Sequence, residues 1–430
     1  MPGRASRGRR IMMRTMYDRS GSSSNHAASG SSTTPSPMFL PDPRTPWPSP
    51  SIGRREAKIC SVARTVGDAH PIQRRDFERM DEARIFITRK IPDKGLEVLR
   101  DADVGVTICQ EDEEQGVPRA SLLDGVRNCD VLLSLLTESV DRELLSANPR
   151  LLGVATMAVG YNNIDVAAAT DLGIPVTNTP GVLTESTADL TWALILAVAR
   201  RLPEAHNYMV AGRYRIWGPN LFLGGDVSPG ASGQRKVLGI IGYGRIGQAV
   251  AKRALGFDMD VLAYDPFSRD GIEASPHARW ADLEDLLRTS DFVTLHPLLT
   301  PETHHMIGTE QLRMMKPSSY LINVARGPVV DERALVEALS ERWIAGAGLD
   351  VYEDEPRMAS GLAESPNAVL LPHIASASHD TRGMMANIAA TNALAHLRCE
   401  HAPNVVNAEV YQSDAYRERI HGTDRTRGAS

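Results

Sequence analysis

Residues 236–254 read KVLGIIGYGRIGQAVAKRA, a short apolar strand, then Gly242, Gly244 and Gly247, with a helix beginning near Arg245. Each glycine has a physical task. The first makes a tight turn, the second lets the backbone approach a pyrophosphate, and the third lets the helix pack close on the strand. The helix start would face the phosphates with unpaired N–H groups. A bare GxGxxG arises easily by chance, so the context gives it weight. A second strand, MDVLAYD, ends in Asp265 about twenty residues on, where an acid accepts both ribose hydroxyls of NAD and repels a 2′-phosphate. NADH is therefore favoured, and Arg269 nearby keeps NADPH open.

On either side of this stretch the chain alternates. Strand-length apolar runs at Ile85 to Thr88, Val131 to Leu135 and Leu152 to Ala155 are separated by helical patterns around Leu96 to Leu99, Leu122 to Val126 and Leu144 to Ala147. A second alternating series runs from Val237 to Leu371. Strands alternating with helices in short cycles imply parallel sheets with helices on both faces, so the expected class is α/β with two doubly wound domains. Between the two series, LTESTADL offers Thr and Ser caps near Thr184, and the helix is expected to continue through WALILAVARRLPEA. Its near-continuous apolar run suggests burial on several sides. A terminal helix is expected from about Asp380 to Leu397.

A chain of 430 residues is long enough for two domains plus a tail. Its net charge of −6 argues against a nucleic-acid partner. The longest apolar stretch, around Leu190 to Val198, is too short to span a membrane. Cys60, Cys109, Cys129 and Cys399 are scattered without a CxxC or metal-like spacing, which predicts reduced thiols, a cytoplasmic setting and no metal site. Residues 1–80 are rich in Arg, Ser and Pro, and a disordered extension or an upstream misassigned start is expected there, with a functional basic arm as a further reading. An acid-poor, Ser-rich start also fits a transit peptide, which would place the protein in an organelle. The folded part is expected to begin at Met80, before DEARIFITRKIPDKGLEVL.

Three further stretches each carry one ionisable side chain after an apolar strand: Arg326 in INVARGPVVDE, Glu355 in GAGLDVYEDEP and His373 in LLPHIASAS. In a parallel sheet the carboxyl ends of strands line the ligand crevice, so residues far apart in sequence can converge there. Reducing a 2-oxo acid needs a cation to hold and polarise it, a proton donor, and a carboxylate that keeps the donor protonated. Taken singly, each residue has a bland reading as a surface arginine, a solvated acidic turn or a structural histidine. Behind a dinucleotide fingerprint, the combination points to catalysis.

This order of motifs resembles the D-isomer-specific 2-hydroxyacid dehydrogenases over about residues 82 to 410. The resemblance implies a Rossmann NAD domain inserted in a flavodoxin-like substrate domain. The substrate domain would take 81–179 and the returning helix of 377–412, the dinucleotide domain 180–376, and 413–430 would be a disordered tail. It also implies that Arg326 binds substrate, His373 is the acid/base and Glu355 its partner. Cofactor contacts would come from Gly242, Gly244, Arg245, Ile246, Gly247, Asp265, Thr187 and Pro297, with Asp350 holding the nicotinamide carboxamide. MAVGYNNID resembles the family's carboxylate cradle, in which the amides of Val159 and Gly160 receive the substrate anion. The pieces NTPGVLTESTADL, LHPLLT and ARGPVVDE are most similar to glyoxylate and hydroxypyruvate reductases. RYRIWGPNLFLG resembles a segment that reaches a partner's active site, making Trp217 a candidate selectivity residue in a homodimer; a core or interface aromatic is the competing reading. Formate dehydrogenases usually carry glutamine in place of Glu355, and too little chain follows His373 for the regulatory domain of long phosphoglycerate dehydrogenases. A D-lactate or phosphoglycerate dehydrogenase is the nearest alternative, and a dinucleotide-sensing corepressor scaffold the alternative of another class.

Overall fold

The computed structural model describes residues 83–112 and 114–426, with side chains through residue 421. The extension expected over 1–80, its Met80 boundary and Cys60 lie outside the described residues.

The first sheet is assembled from β1 (Arg84–Arg89), α1 (Asp93–Asp101), β2 (Gly105–Gln110), α2 (Arg119–Arg127), β3 (Val131–Ser134), α3 (Arg142–Ser146), β4 (Gly153–Thr156), α4 (Val166–Asp171) and β5 (Val176–Thr177). Its strands run in the order β2-β1-β3-β4-β5, all parallel. Alternate side chains of β1 face opposite layers, as a pleated strand requires. Ile85 and Ile87 join Leu99, Val131 and Leu133 in one core, while Phe86 joins Leu122, Val126 and Leu144 in the other. β3 and β4 are buried at every position, as expected for strands covered on both faces.

A second sheet follows α5 (Thr184–Ala199) and α6 (Leu202–Val210). It comprises β6 (Val237–Ile241), α7 (Arg245–Ala254), β7 (Asp260–Tyr264), α8 (Arg269–Glu273), β8 (Arg279–Trp280), α9 (Leu283–Thr289), β9 (Phe292–Leu295), α10 (Thr309–Met314), β10 (Tyr320–Asn323), α11 (Glu332–Ser340), β11 (Gly346–Leu349) and β12 (Ala368–Leu370). The order is β12-β11-β10-β9-β6-β7-β8, again all parallel. The strand order reverses at β6, so a ligand crevice opens between the carboxyl ends of β6 and β9. The chain then returns: α12 (His379–Leu397) packs on α1, β3 and β4 of the first sheet. At Gly95 a Cβ would sit 2.7 Å from the Ala386 carbonyl oxygen, so the close approach of α1 and α12 needs glycine there.

Three expectations are corrected. The helix from Thr184 stops at Ala199 rather than running through Ala205, because Pro203 has no N–H to give and its ring would clash with the carbonyl four residues back. That carbonyl, on Ala199, instead accepts the Gly225 amide at 2.9 Å, and Arg201 turns the chain at φ +53°. The Thr and Ser caps are not used either. Leu183 occupies the N-cap without a side-chain hydrogen bond, and Ser186 Oγ donates to the Ala375 carbonyl at 2.7 Å. Lastly, within the disordered tail expected over 413–430 the chain forms α13 (Asp414–Thr426). Its few apolar residues conceal what holds it. Tyr416 is buried, and Arg419 donates to the carbonyls of Leu172 (2.8 Å), Pro149 (2.9 Å) and Leu151 (3.1 Å).

Candidate active site

Arg326, Glu355 and His373 stand in the segments that follow β10, β11 and β12, three strands adjacent in the second sheet. His373 Nδ1 lies 2.9 Å from Glu355 Oε2, and the other Glu355 oxygen accepts the Tyr352 amide at 3.0 Å. Burial by itself would raise the Glu355 carboxyl. The hydrogen bond to His373, the charge of that ring, the Tyr352 amide and Arg326 outweigh burial and hold it below the ordinary carboxylate range. His373 keeps 26% of its side chain exposed, enough to exchange protons while remaining oriented. Burial pulls the Arg326 guanidinium down, partly offset by Glu355, and its Nη1 donates to the Ala325 carbonyl at 2.7 Å.

The first sheet reaches the same place. A Cβ built on Gly160 would overlap the Arg326 guanidinium, so the segment MAVG comes against the arginine with room only for backbone. Val159 is anchored beside it, its carbonyl accepting Asn178 Nδ2 at 2.8 Å.

The turn after β6 has the shape a dinucleotide requires. Gly242 has φ +89°, and a Cβ there would sit 2.6 Å from His296 C and Pro297 N, so the ends of β6 and β9 pack backbone to backbone. At Gly244 a Cβ would meet nothing within 4 Å, which leaves the approach to the start of α7 open. Gly244 is also the N-cap and supplies no side-chain cap, so the Arg245, Ile246 and Gly247 end of the helix keeps donors for an anion. A Cβ at Gly247 would collide with the Gly242 carbonyl. Asp265 follows β7. Its Oδ2 accepts the Tyr243 amide at 2.9 Å and its Oδ1 the Phe267 amide at 3.0 Å, so the carboxylate is fixed with lone pairs to spare for a ribose. Arg269 is engaged elsewhere, paired with Glu273 at 2.9 Å and lying 4.0 Å over the Trp280 ring. Thr187 Oγ1 is buried without a partner among the described residues. These residues fit NAD.

Asp350 and Trp217 fall out differently. Asp350 is fully buried and its two oxygens accept the amides of Ile374 (2.7 Å) and Ala375 (2.8 Å), while its carbonyl accepts the His373 amide at 2.9 Å. It thus clamps the turn in which His373 sits at φ +52°, a left-handed conformation unusual for histidine. Trp217 is not drawn in; its residue is 72% exposed beyond α6. Sequence reasoning missed His296. Both its ring nitrogens are buried without partners among the described residues, and burial pushes its pKa down to about 3, so the imidazole at the crevice stays neutral. Its position directly after β9, beside the glycine turn, was the available signal.

The family model described as D-isomer specific 2-hydroxyacid dehydrogenase, NAD binding domain, matches residues 192–375. A glyoxylate reductase of Korarchaeum cryptofilum is 49% identical over 329 residues, 76% of this chain and 96% of that protein. Among solved structures, a protein of Thermus thermophilus aligns with a TM-score of 0.69 at 43% identity, covering 75% of this chain and 99% of its own. An NADPH-dependent glyoxylate/hydroxypyruvate reductase of Sinorhizobium meliloti, solved with NADP and malonate, aligns with a TM-score of 0.63 at 31% identity over 76% and 97% of the two chains. Such identity over nearly the whole length of a relative, joined to two parallel sheets and a glycine turn at the point where strand order reverses, makes this chain an oxidoreductase of the D-isomer specific 2-hydroxyacid dehydrogenase family.

Proposed function

We propose that this protein reduces glyoxylate, and hydroxypyruvate as a second substrate, to the 2-hydroxy acid with NADH as the favoured reductant. The observation that carries this reading is the meeting of Arg326 with Gly160 on one side and the Glu355–His373 pair on the other. The names of the Korarchaeum and Sinorhizobium relatives support the same substrate class.

In this mechanism the substrate carboxylate docks on the amides of Val159 and Gly160 and on Arg326. Gly160 has no side chain to keep it out. The nicotinamide, when bound, supplies hydride for the carbonyl carbon. His373 has Nδ1 committed to Glu355, so Nε2 is the atom that delivers the proton to the carbonyl oxygen. The cationic Arg326 and that proton both act where negative charge develops, in a partly desolvated site where such charges count for more. Asp350 holds the turn carrying His373, and His296 offers a neutral wall. The ring then regains a proton through its exposed edge, with Glu355 keeping it oriented.

The domain roles follow from the same reading: residues 81–179 with 377–412 carry the substrate, and 180–376 carry the dinucleotide. The exposed apolar side chains of Leu202, Met209, Val210, Ile216, Trp217 and Leu223 support a homodimer in which Trp217 reaches the partner's site. A cytoplasmic setting is part of the same reading, supported by the scattered spacing of the cysteines. Among the described residues no helix is long and apolar enough to cross a membrane.

Steady-state oxidation of NADH against a panel of glyoxylate, hydroxypyruvate, pyruvate and phosphohydroxypyruvate tests the function. Turnover should be greatest with one of the first two. A higher kcat/KM with either of the others would replace this reading, and light scattering of the purified protein would reveal a monomer if the dimer is wrong.

A further inference from the structure

His304, His305 and Glu353 lie outside the catalytic group, and their ligand atoms fall within 4.8 Å of one another. His305 Nε2 is 2.7 Å from Glu353 Oε1, and the rings of His304 and His305 stack with centroids 4.0 Å apart. Neighbouring side chains in an extended segment point to opposite sides. Here the left-handed backbone of His305, φ +51°, turns both rings to the same side. The turn is fixed by its own hydrogen bonds: Thr303 Oγ1 donates to the Leu298 carbonyl at 2.6 Å, and the His304 amide reaches the Thr300 carbonyl at 3.0 Å. It is also pinned from behind, since the His305 amide donates to the Pro328 carbonyl at 2.8 Å. On the other side, the Glu353 amide donates to Glu332 Oε1 at 2.5 Å, and Glu353 Oε2 accepts the Glu332 amide at 3.3 Å. A second carboxylate therefore backs the first.

We propose that His304, His305 and Glu353 form a three-ligand site for a transition-metal dication of the zinc class. Two imidazoles and a carboxylate suit Zn²⁺, Co²⁺ or Ni²⁺ better than Mg²⁺ or Ca²⁺, which take oxygen ligands. Ligand atoms about 2.1 Å from a tetrahedral ion stand roughly 3.4 Å apart, between the 2.7 Å contact and the 4.8 Å limit found here. Closing the site needs a shift of about 1 Å, which the exposed His304 can make because it lies on the surface. The ion replaces the hydrogen shared by His305 and Glu353. Water completes the shell, so the site is exchangeable. When filled, it ties the turn after β9 to the loop that also carries Glu355, two residues beyond Glu353.

The test is a Co²⁺ titration of the full chain after removal of metals, followed by visible absorption and by displacement with Zn²⁺. The native protein should take up one Co²⁺ per chain with the visible bands of a low-coordinate site, and Zn²⁺ should raise its Tm. His304→Ala should weaken binding about tenfold or more and abolish the Tm shift while leaving circular dichroism and NADH oxidation unchanged, because the residue is exposed and outside the active site. Glu353→Gln should do the same to binding. Absence of saturable Co²⁺ uptake by the native protein, or equal uptake by His304→Ala, overturns the proposal.

Discussion

The guanidinium of Arg326 occupies the volume that a side chain at Gly160 would need. One residue belongs to the segment after β10 and the other to the segment after β4, so the two sheets meet at the candidate site through a contact that tolerates no added carbon.

Gly160→Ala is therefore expected to displace Arg326 from the substrate position. A misplacement near 1 Å costs on the order of 10²-fold in rate, and the loss should appear in kcat/KM for the 2-oxo acid while NADH affinity, read by fluorescence, is kept. Unchanged kcat/KM would show that Arg326 is not the anion holder.

Replacement of the proton donor gives a second expectation. His373→Ala should lower kcat by roughly 10²- to 10⁴-fold. Glu355→Gln keeps the shape but removes the carboxylate that holds Nδ1, so kcat should fall as well, by less than in His373→Ala, with NADH affinity kept. An unchanged kcat in Glu355→Gln would show that the 2.9 Å contact does not orient the ring.

Cofactor choice rests on Asp265. Its carboxylate is held by two backbone amides, and Arg269, the residue that could welcome a 2′-phosphate, is occupied by Glu273 and Trp280. NADH should win in kcat/KM over NADPH, and Asp265→Ser should narrow or reverse the preference because a repulsive element is removed with an attractive one. A clear preference of the unmutated protein for NADPH would refute the assignment.

Acid stability should report on His396. Burial holds this ring at a pKa of about 4, below the ordinary 6.5, with Nε2 3.2 Å from Thr177 Oγ1. Its folded-state pKa is depressed, so the unfolded chain binds the extra proton first. Stability is complete above about pH 6.5 and is lost as pH falls toward 4, by roughly 3 kcal/mol in all. In His396→Gln, the slope of unfolding free energy against pH over that window should be shallower by about one proton. An identical slope would rule out His396 as the source.

Removing the clasp of the last helix is a purely structural test. Arg419→Ala removes the hydrogen bonds that Nε gives to the carbonyl of Leu172 and Nη1 to those of Asn148, Pro149 and Leu151. Stability should fall by roughly 1–3 kcal/mol with kcat unchanged for glyoxylate; an unaltered Tm would mean that α13 is held by Tyr416 and its neighbours alone.

Periodicity and turn chemistry are local properties, and what depends on them was legible from the residues in order. The glycine turn at Gly242, the acid at Asp265 and the alternation of strand and helix all announce a doubly wound α/β protein, because a few neighbouring residues suffice to make each element. The positions of Arg326, Glu355 and His373 after apolar strands could be read too, since strand ends are where a parallel sheet gathers its chemistry. Helix length between the two series was misjudged because Pro203 acts on a carbonyl four residues back, a constraint that a hydrophobic run hides. What the tertiary structure alone decided is long-range. The fit of Gly160 against Arg326, the double clamp of Asp350 on the His373 turn and the hold of Arg419 on distant carbonyls each join segments separated in sequence. No local pattern encodes such contacts, because they exist only once the sheets have formed and desolvated the groups between them.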